Sequence, residues 1–156
     1  METKLNSRDK KILIVGAISL IAIIFFFTQI GRQLKPKETT IIINGQKILA
    51  ESAATPEQHY QGLSGRTKLC ENCGMLFIFS DKQVQDFYMR NMNFPLDIVF
   101  IADNKILKIS PNLLPEGANP QAIYSSELPI NYVLELNSGY TDKYNINVGD
   151  EVEFNF

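Results

Sequence analysis

With 156 residues, 45% of them apolar, the chain has length for one globular domain and no more. Its two cysteines exclude a multi-disulfide scaffold, and its single histidine excludes a His-rich metal site. Residues 38–156 carry eight Lys/Arg against fifteen Asp/Glu, a balance of −7, so no nucleic-acid partner is expected: affinity for phosphate backbones rests on cationic side chains.

The chain opens on a basic tail, residues 1–11, with Lys4, Arg8, Lys10 and Lys11. Residues 12–30 then read ILIVGAISLIAIIFFFTQI, with 15 of 19 apolar and no charge. As a helix rising about 1.5 Å per residue, this run is roughly 28 Å long, close to the hydrocarbon thickness of a bilayer. A core helix of so small a domain could not be apolar on every side. A cleaved signal peptide is the competing reading. The run is longer than a usual h-region, however, and its exit (Phe27 to Gln33) lacks a small-x-small cleavage pattern. Four basic residues flank it on the N-terminal side, and Arg32, Lys35 and Lys37 on the other, a slight positive-inside bias. The expectation is a single-pass cell-membrane protein. Residues 1–11 form its cytoplasmic tail, 12–30 its transmembrane helix, 31–38 a linker, and 39–156 a domain outside the cytoplasm.

Within the domain, Thr39–Ile43 and Gln46–Ser52 flank Asn44-Gly45, which supplies the two positive-φ positions of a type I′ hairpin turn. Thr55-Pro56-Glu57-Gln58 carries an N-cap, a proline at N1 and a capping-box glutamine. It predicts a short helix to about Gln61, stopped by Gly62 and Gly65. Strands are expected at Met75–Phe79, Gln85–Met89, Leu96–Ala102, Lys105–Ser110, Ala122–Ser125, Tyr132–Asn137 and Val152–Phe156. A loop with Pro111, Pro115, Gly117 and Pro120 interrupts them. Seven to nine short strands with one or two short helices describe a mostly-β barrel or sandwich-like domain. No GxGxxG or GxxxxGK[ST] loop is present.

Five blocks in order add a resemblance: Gly62–Arg66, Gly74–Phe79, Phe87–Phe100, Tyr132–Gly139 and Val148–Asp150. Their sequence and spacing resemble the DUF192 (UPF0127) family over about residues 40–155. The resemblance implies a compact β-rich domain, often exported or membrane-tethered, with no agreed biochemical activity. Tyr88 stands where the family usually has Trp, and Met92 where Thr usually follows Asn. The Cys70-x-x-Cys73 pair is an addition that many relatives lack.

The Cys70-Glu71-Asn72-Cys73 spacing lets two thiols join or share a metal ion. Only His59 and acidic residues could complete a zinc site, and the pair leads into a strand rather than a helix. A structural disulfide is therefore the leading reading, ahead of a metal or thiol-exchange site. Asp97 interrupts Leu96–Ile101, whose apolar residues fall on both faces, so its carboxylate needs an ion partner or backbone N–H donors. Arg66 or Arg90 is the natural partner. Glu135 poses the same question on a strand whose alternation sets Val133, Glu135 and Asn137 against Tyr132, Leu134 and Leu136. If Asp97 and Glu135 converged with Arg66 and Asn91, they would form a small polar pocket in which one carboxylate could act as acid or base. An internal salt-bridge network is the blander alternative.

His59 is expected to face solvent. Met75, Met89 and Met92, with Phe77, Phe79, Phe87, Tyr88 and Phe94, read as core filling more readily than as a Cu(I) site. No cofactor is expected. The leading functional reading is a binding or structural module for a small polar ligand or an envelope protein. An enzyme using Asp97 or Glu135, and a thiol or metal protein using Cys70 and Cys73, are the alternatives.

Overall fold

The computed structural model describes residues 6, 8, 13, 16–26 and 37–156. Two compact units are present, residues 1–35 and 36–156. In the first, residues 16–26 are helical, and Ile18, Leu20, Ile21, Ile23 and Ile24 are exposed. The expected transmembrane helix over 12–30 falls partly outside the described residues. Among those described, no helix is long and apolar enough to cross a membrane.

In the second unit, nine strands and two short helices follow in order. They are β1 (Glu38–Ile43), β2 (Gln46–Ala53), α1 (Pro56–Gln61), β3 (Cys73–Gln83), β4 (Asp86–Phe87), β5 (Leu96–Ala102), β6 (Lys105–Leu113), β7 (Tyr124–Ser125), β8 (Ile130–Asn137), α2 (Tyr140–Lys143) and β9 (Val152–Asn155). Seven strands form one sheet in the order β6-β5-β8-β3-β2-β1-β9, and β4 pairs with β7 in a separate ribbon. The β1–β2 hairpin forms on Asn44-Gly45, with φ of 50° and 75°. The β2–β3 pair is parallel, so the chain must cross over between them, and α1 lies in that crossover. Its capping box is present as the sequence predicts: Gln58 N–H donates to Thr55 Oγ1, and the Gln58 side chain accepts from Thr55 N–H.

The sheet curls into a half-barrel. Its edges meet at one end, where Lys105 and Glu151 form an isolated antiparallel backbone bridge, Ile106 N–H donates to Asp150 O and Val152 N–H donates to Asn104 O. Inside the curl, alternate residues of the strands build one core: Ile41, Ile43, Ile48, Leu76, Val99, Leu134 and Leu136. The outer face of β3, β5 and β8 carries a second core with Met75, Phe77, Ile98, Phe100 and Val133. That face is covered by loop residues, among them Leu63, Met89 and Met92. Both faces of β5 are therefore buried, which explains why every residue of it except Asp97 is apolar. The sulfur-and-aromatic group is part of the outer core, apart from Tyr88, which is exposed.

Several elements differ from expectation: the strand expected at Met75–Phe79 runs Cys73–Gln83, and that expected at Ala122–Ser125 pairs only at Tyr124–Ser125. Gln85–Met89 pairs only at Asp86–Phe87. β6 continues through Pro111 to Leu113, because it is an edge strand and proline's missing N–H costs no ladder bond there. The four-residue α2 carries no apolar periodicity long enough to mark it in sequence.

Asp97 explains α2. Its carboxylate is fully buried, and the partner is neither Arg66 nor Arg90. Oδ1 accepts from Asn112 N–H (2.8 Å) and Gly139 N–H (3.0 Å); Oδ2 accepts from Thr141 N–H (2.9 Å) and Thr141 Oγ (2.7 Å). One carboxylate thus ties β5 to the end of β6 and to the start of α2. Four donors replace the lost water shell, so no counter-ion is required. Asp97→Asn keeps one acceptor oxygen and turns an amide N–H₂ against the other donors. It should lower stability by about 3 kcal/mol, read as a lower urea midpoint with an unchanged slope.

Candidate functional site

Opposed residues in neighbouring strands point to one face of a sheet. On β8, Glu135 lies opposite Met75 of β3 and Ile98 of β5, and Met75 lies opposite Glu51 of β2. Glu51, Met75, Glu135 and Ile98 therefore form one row on the outer face. Asp97 lies opposite Leu136, on the inner face. The expected convergence of Asp97 with Glu135 does not occur, because one residue of offset along the strand sends the two carboxylates through opposite sides of the sheet.

Arg66 comes from the loop after α1, and its neighbours hold that loop. Gly65 N–H donates to Asn91 O (2.8 Å), Ser64 Oγ to Arg90 O (2.8 Å) and Asn93 Nδ2 to Arg66 O (2.9 Å). Asn91 adopts a left-handed turn (φ 53°), which asparagine tolerates, and its N–H donates to Gly117 O. It is exposed and shapes the loop layer through its backbone, so it is not part of the polar pocket expected for it.

The Arg66 guanidinium grips Glu51 with two parallel bonds: Nη1 to Oε1 at 2.5 Å and Nη2 to Oε2 at 2.6 Å. That fork holds the Glu51 carboxyl below its ordinary range and raises Arg66. Sequence reading missed Glu51. It alternates with buried Ile48, Ala50 and Ser52 on β2, a pattern identical to that of a solvent-facing acid.

Glu135 is left over. Its residue is 6% exposed, and Oε2 is buried with no hydrogen-bond partner, the one such side-chain atom among the described residues. Burial pushes its carboxyl up from 4.5 to about 8, with the Arg66 charge pulling the other way. Desolvation wins because the Arg66 fork is directed at Glu51 and acts on Glu135 only through its charge. At neutral pH Glu135 is therefore predominantly a neutral acid in an apolar setting.

Glu135 lines a half-open cleft of about 440 Å³ between α1, the outer face of β3 and the segment around β4. Phe77, Phe79, Phe87 and Tyr88 supply much of the wall, with Arg90 among the other lining residues. Phe77 and Phe87 pack edge to face at 4.9 Å between ring centroids. His59 does not face solvent as expected. It is half-buried on the outer face of β3, with Nε2 3.0 Å from Ala53 O and its ring 4.6 Å from that of Phe79. Arg90 sits 3.9 Å over the Tyr60 ring and donates to Tyr60 O at 2.6 Å.

A family model for DUF192, described as an uncharacterized ACR, matches residues 39–154. The chain belongs to the DUF192 family. A crystal structure of a candidate transcription regulator from Sinorhizobium meliloti 1021 is similar at 32% identity and a TM-score of 0.72, over 78% of this chain and 96% of that one. A protein of unknown function from Novosphingobium aromaticivorans DSM 12444 is similar at 30% identity and a TM-score of 0.67, over 76% and 84%. No curated protein matches.

In this DUF192 domain, Cys70 and Cys73 are joined by a disulfide, with Cα atoms 5.0 Å apart. The bridge closes the turn into β3, where Cys73 N–H donates to Cys70 O and Asn137 Nδ2 donates to the same carbonyl. Closing so short a loop is worth about 2 kcal/mol of chain entropy, so the double variant Cys70→Ser/Cys73→Ser should melt several degrees lower.

The raised Glu135 acid gives stability a pH signature. Between the unfolded value near 4.5 and the folded value of about 8, the folded chain holds the extra proton. This stabilisation is complete below 4.5, declines as pH rises, and is gone above about 8. Glu135→Gln mimics the neutral acid and should flatten the fall in melting temperature between pH 5 and pH 9. It should also be more stable than the parent at pH 9. An identical pH profile for both proteins would contradict a buried neutral Glu135.

Proposed function

We propose that this DUF192 protein is a membrane-anchored, non-catalytic binding module whose domain lies outside the cytoplasm and takes a small ligand in the Glu135 cleft. The observation that carries the reading is the unsatisfied Glu135 carboxyl in an aromatic-lined cleft of about 440 Å³. That volume falls in the range of small-molecule sites, which are mostly apolar with a few orienting polar groups. A ligand with an apolar body and one polar group would satisfy both features. An envelope protein inserting a side chain is the macromolecular version of the same fit.

The anchor reading is supported by the uncharged run of residues 12–30 and by the exposed isoleucines and leucine of helical residues 16–26. A disulfide in the domain fits an oxidising compartment, as expected beyond the cytoplasmic membrane. Direct DNA contact as a route to transcription regulation fits poorly with fifteen acids against eight bases in residues 38–156. An acid–base enzyme is the second reading. It is favoured by an acid poised near 8, but Asp97 is no longer available to it, its oxygens being fully engaged by backbone and Thr141.

Two measurements test this. Native mass spectrometry of the full chain from mild detergent should show a co-purified small molecule that is depleted in Phe79→Ala, which opens the cleft wall. Fractionation should leave the chain in carbonate-washed membranes, with residues 39–156 digested by protease added to spheroplasts. Recovery of the intact chain from cytosol would overturn the anchor. A ligand-free spectrum that no added small molecule or envelope extract changes would overturn the binding module.

A further inference from the structure

Resting on the Glu135 cleft as a binding site, we propose that its ligand is a small organic ammonium ion, whose charged nitrogen pairs with Glu135 and whose apolar body lies against Phe77, Phe79 and Phe87.

Charge and geometry together select this class. Glu135 is a 94% buried residue whose Oε2 has no hydrogen-bond partner, and a ligand N–H⁺ supplies one as it displaces the acid's proton. Aromatic faces carry negative π density, so a ring-lined cleft adds cation–π attraction where water is excluded. The cleft already contains one such contact, Arg90 on Tyr60. Nearby protein cations are already engaged. Arg66 is matched by Glu51 through its two terminal nitrogens, and Arg90 is held by the Tyr60 ring and carbonyl. The titratable and charged groups around Glu135 are Arg66 with Glu51 behind it, and, in the cleft lining, His59, Tyr60, Asp86, Tyr88 and Arg90. With Glu135 protonated, Asp86 and Arg90 balance in the lining, so the site has no net cation to hold an anion; once Glu135 ionises, the lining carries two carboxylates against Arg90, an excess that an ammonium neutralises.

The proton balance follows. The empty site holds Glu135 as the acid; docking of R–NH₃⁺ releases that proton to solvent and leaves a carboxylate–ammonium pair. Affinity should therefore rise with pH until Glu135 is already ionised in the empty protein, at about 8.

The test uses the full chain in non-ionic detergent and three probes of similar size: 2-phenylethylammonium, 2-phenylethanol and phenylacetate. Isothermal titration should show the ammonium binding at least tenfold tighter than either other probe. It should tighten at least tenfold from pH 6 to pH 8, and be lost in Glu135→Gln with the circular dichroism of the parent retained. Should that variant not fold, titration of the parent at pH 6.5 in buffers of different ionisation enthalpy decides the matter: release of close to one proton per ammonium is expected. No ammonium binding, equal binding of the alcohol, binding without proton release, or binding unchanged in Glu135→Gln would each overturn the proposal. Preference for the alcohol or for phenylacetate, lost in Phe79→Ala, would overturn the ammonium class while leaving the cleft a binding site.

Discussion

The commitment of Arg66 to Glu51 governs the character of this domain's outer face. A guanidinium has one planar fork, and here both of its terminal nitrogens are directed at one carboxylate. Had Glu135 received that fork, the row across β2, β3 and β8 would hold a closed ion pair beneath the loops. Instead the ion pair sits toward the β2 side, half-exposed. Glu135 keeps a desolvated, unpaired oxygen next to the aromatic wall. An unpaired acid in a packed core is costly at any pH, and the molecule limits that cost by retaining the proton. The cleft, its chemistry and its pH response all derive from which of two acids Arg66 holds.

Asp97 is the counter-example within the same sheet. It is as deeply buried as Glu135, yet three backbone N–H groups and a threonine hydroxyl converge on it. Three of those four donors come from a chain reversal, residues 139–141, that wraps the carboxylate, and the fourth is Asn112 N–H at the end of β6. One acid is a fastening and the other an open valence. Their neighbours on adjoining strands, rather than their residue type, make the difference.

Much of the fold was legible along the chain. Asn44-Gly45 dictated a hairpin, Thr55 to Gln58 a capped helix start, and the apolar residues at both odd and even positions of β5 a strand covered on both sides. These features are local, fixed by dihedral preferences and by a period of two. What sequence could not convey was register. Whether Asp97 and Glu135 share a face depends on how β5 and β8 align, a non-local quantity that places Asp97 against Leu136 and Glu135 against Ile98. Glu51 was invisible for the same reason: its partner arrives from a loop fifteen residues on. Of the four residues expected to form one polar pocket, only Glu135 lines the aromatic cleft. Arg66 is near enough to bias its ionisation, Asn91 shapes the loop layer, and Asp97 lies on the other face. His59 turned inward because α1 packs along β3, which no periodicity in six residues could reveal.

The most direct test of this account is the ionisation of Glu135 itself. Carboxyl ¹³C chemical shifts of the full chain, labelled at glutamate side chains and assigned by the loss of one resonance in Glu135→Gln, can be followed from pH 4 to pH 10. A titration midpoint near 8 for that resonance, with the Glu51 resonance titrating below the ordinary carboxylate range, is the predicted result. A Glu135 midpoint close to 4.5 would mean that the acid is solvated or paired, and would contradict the site described.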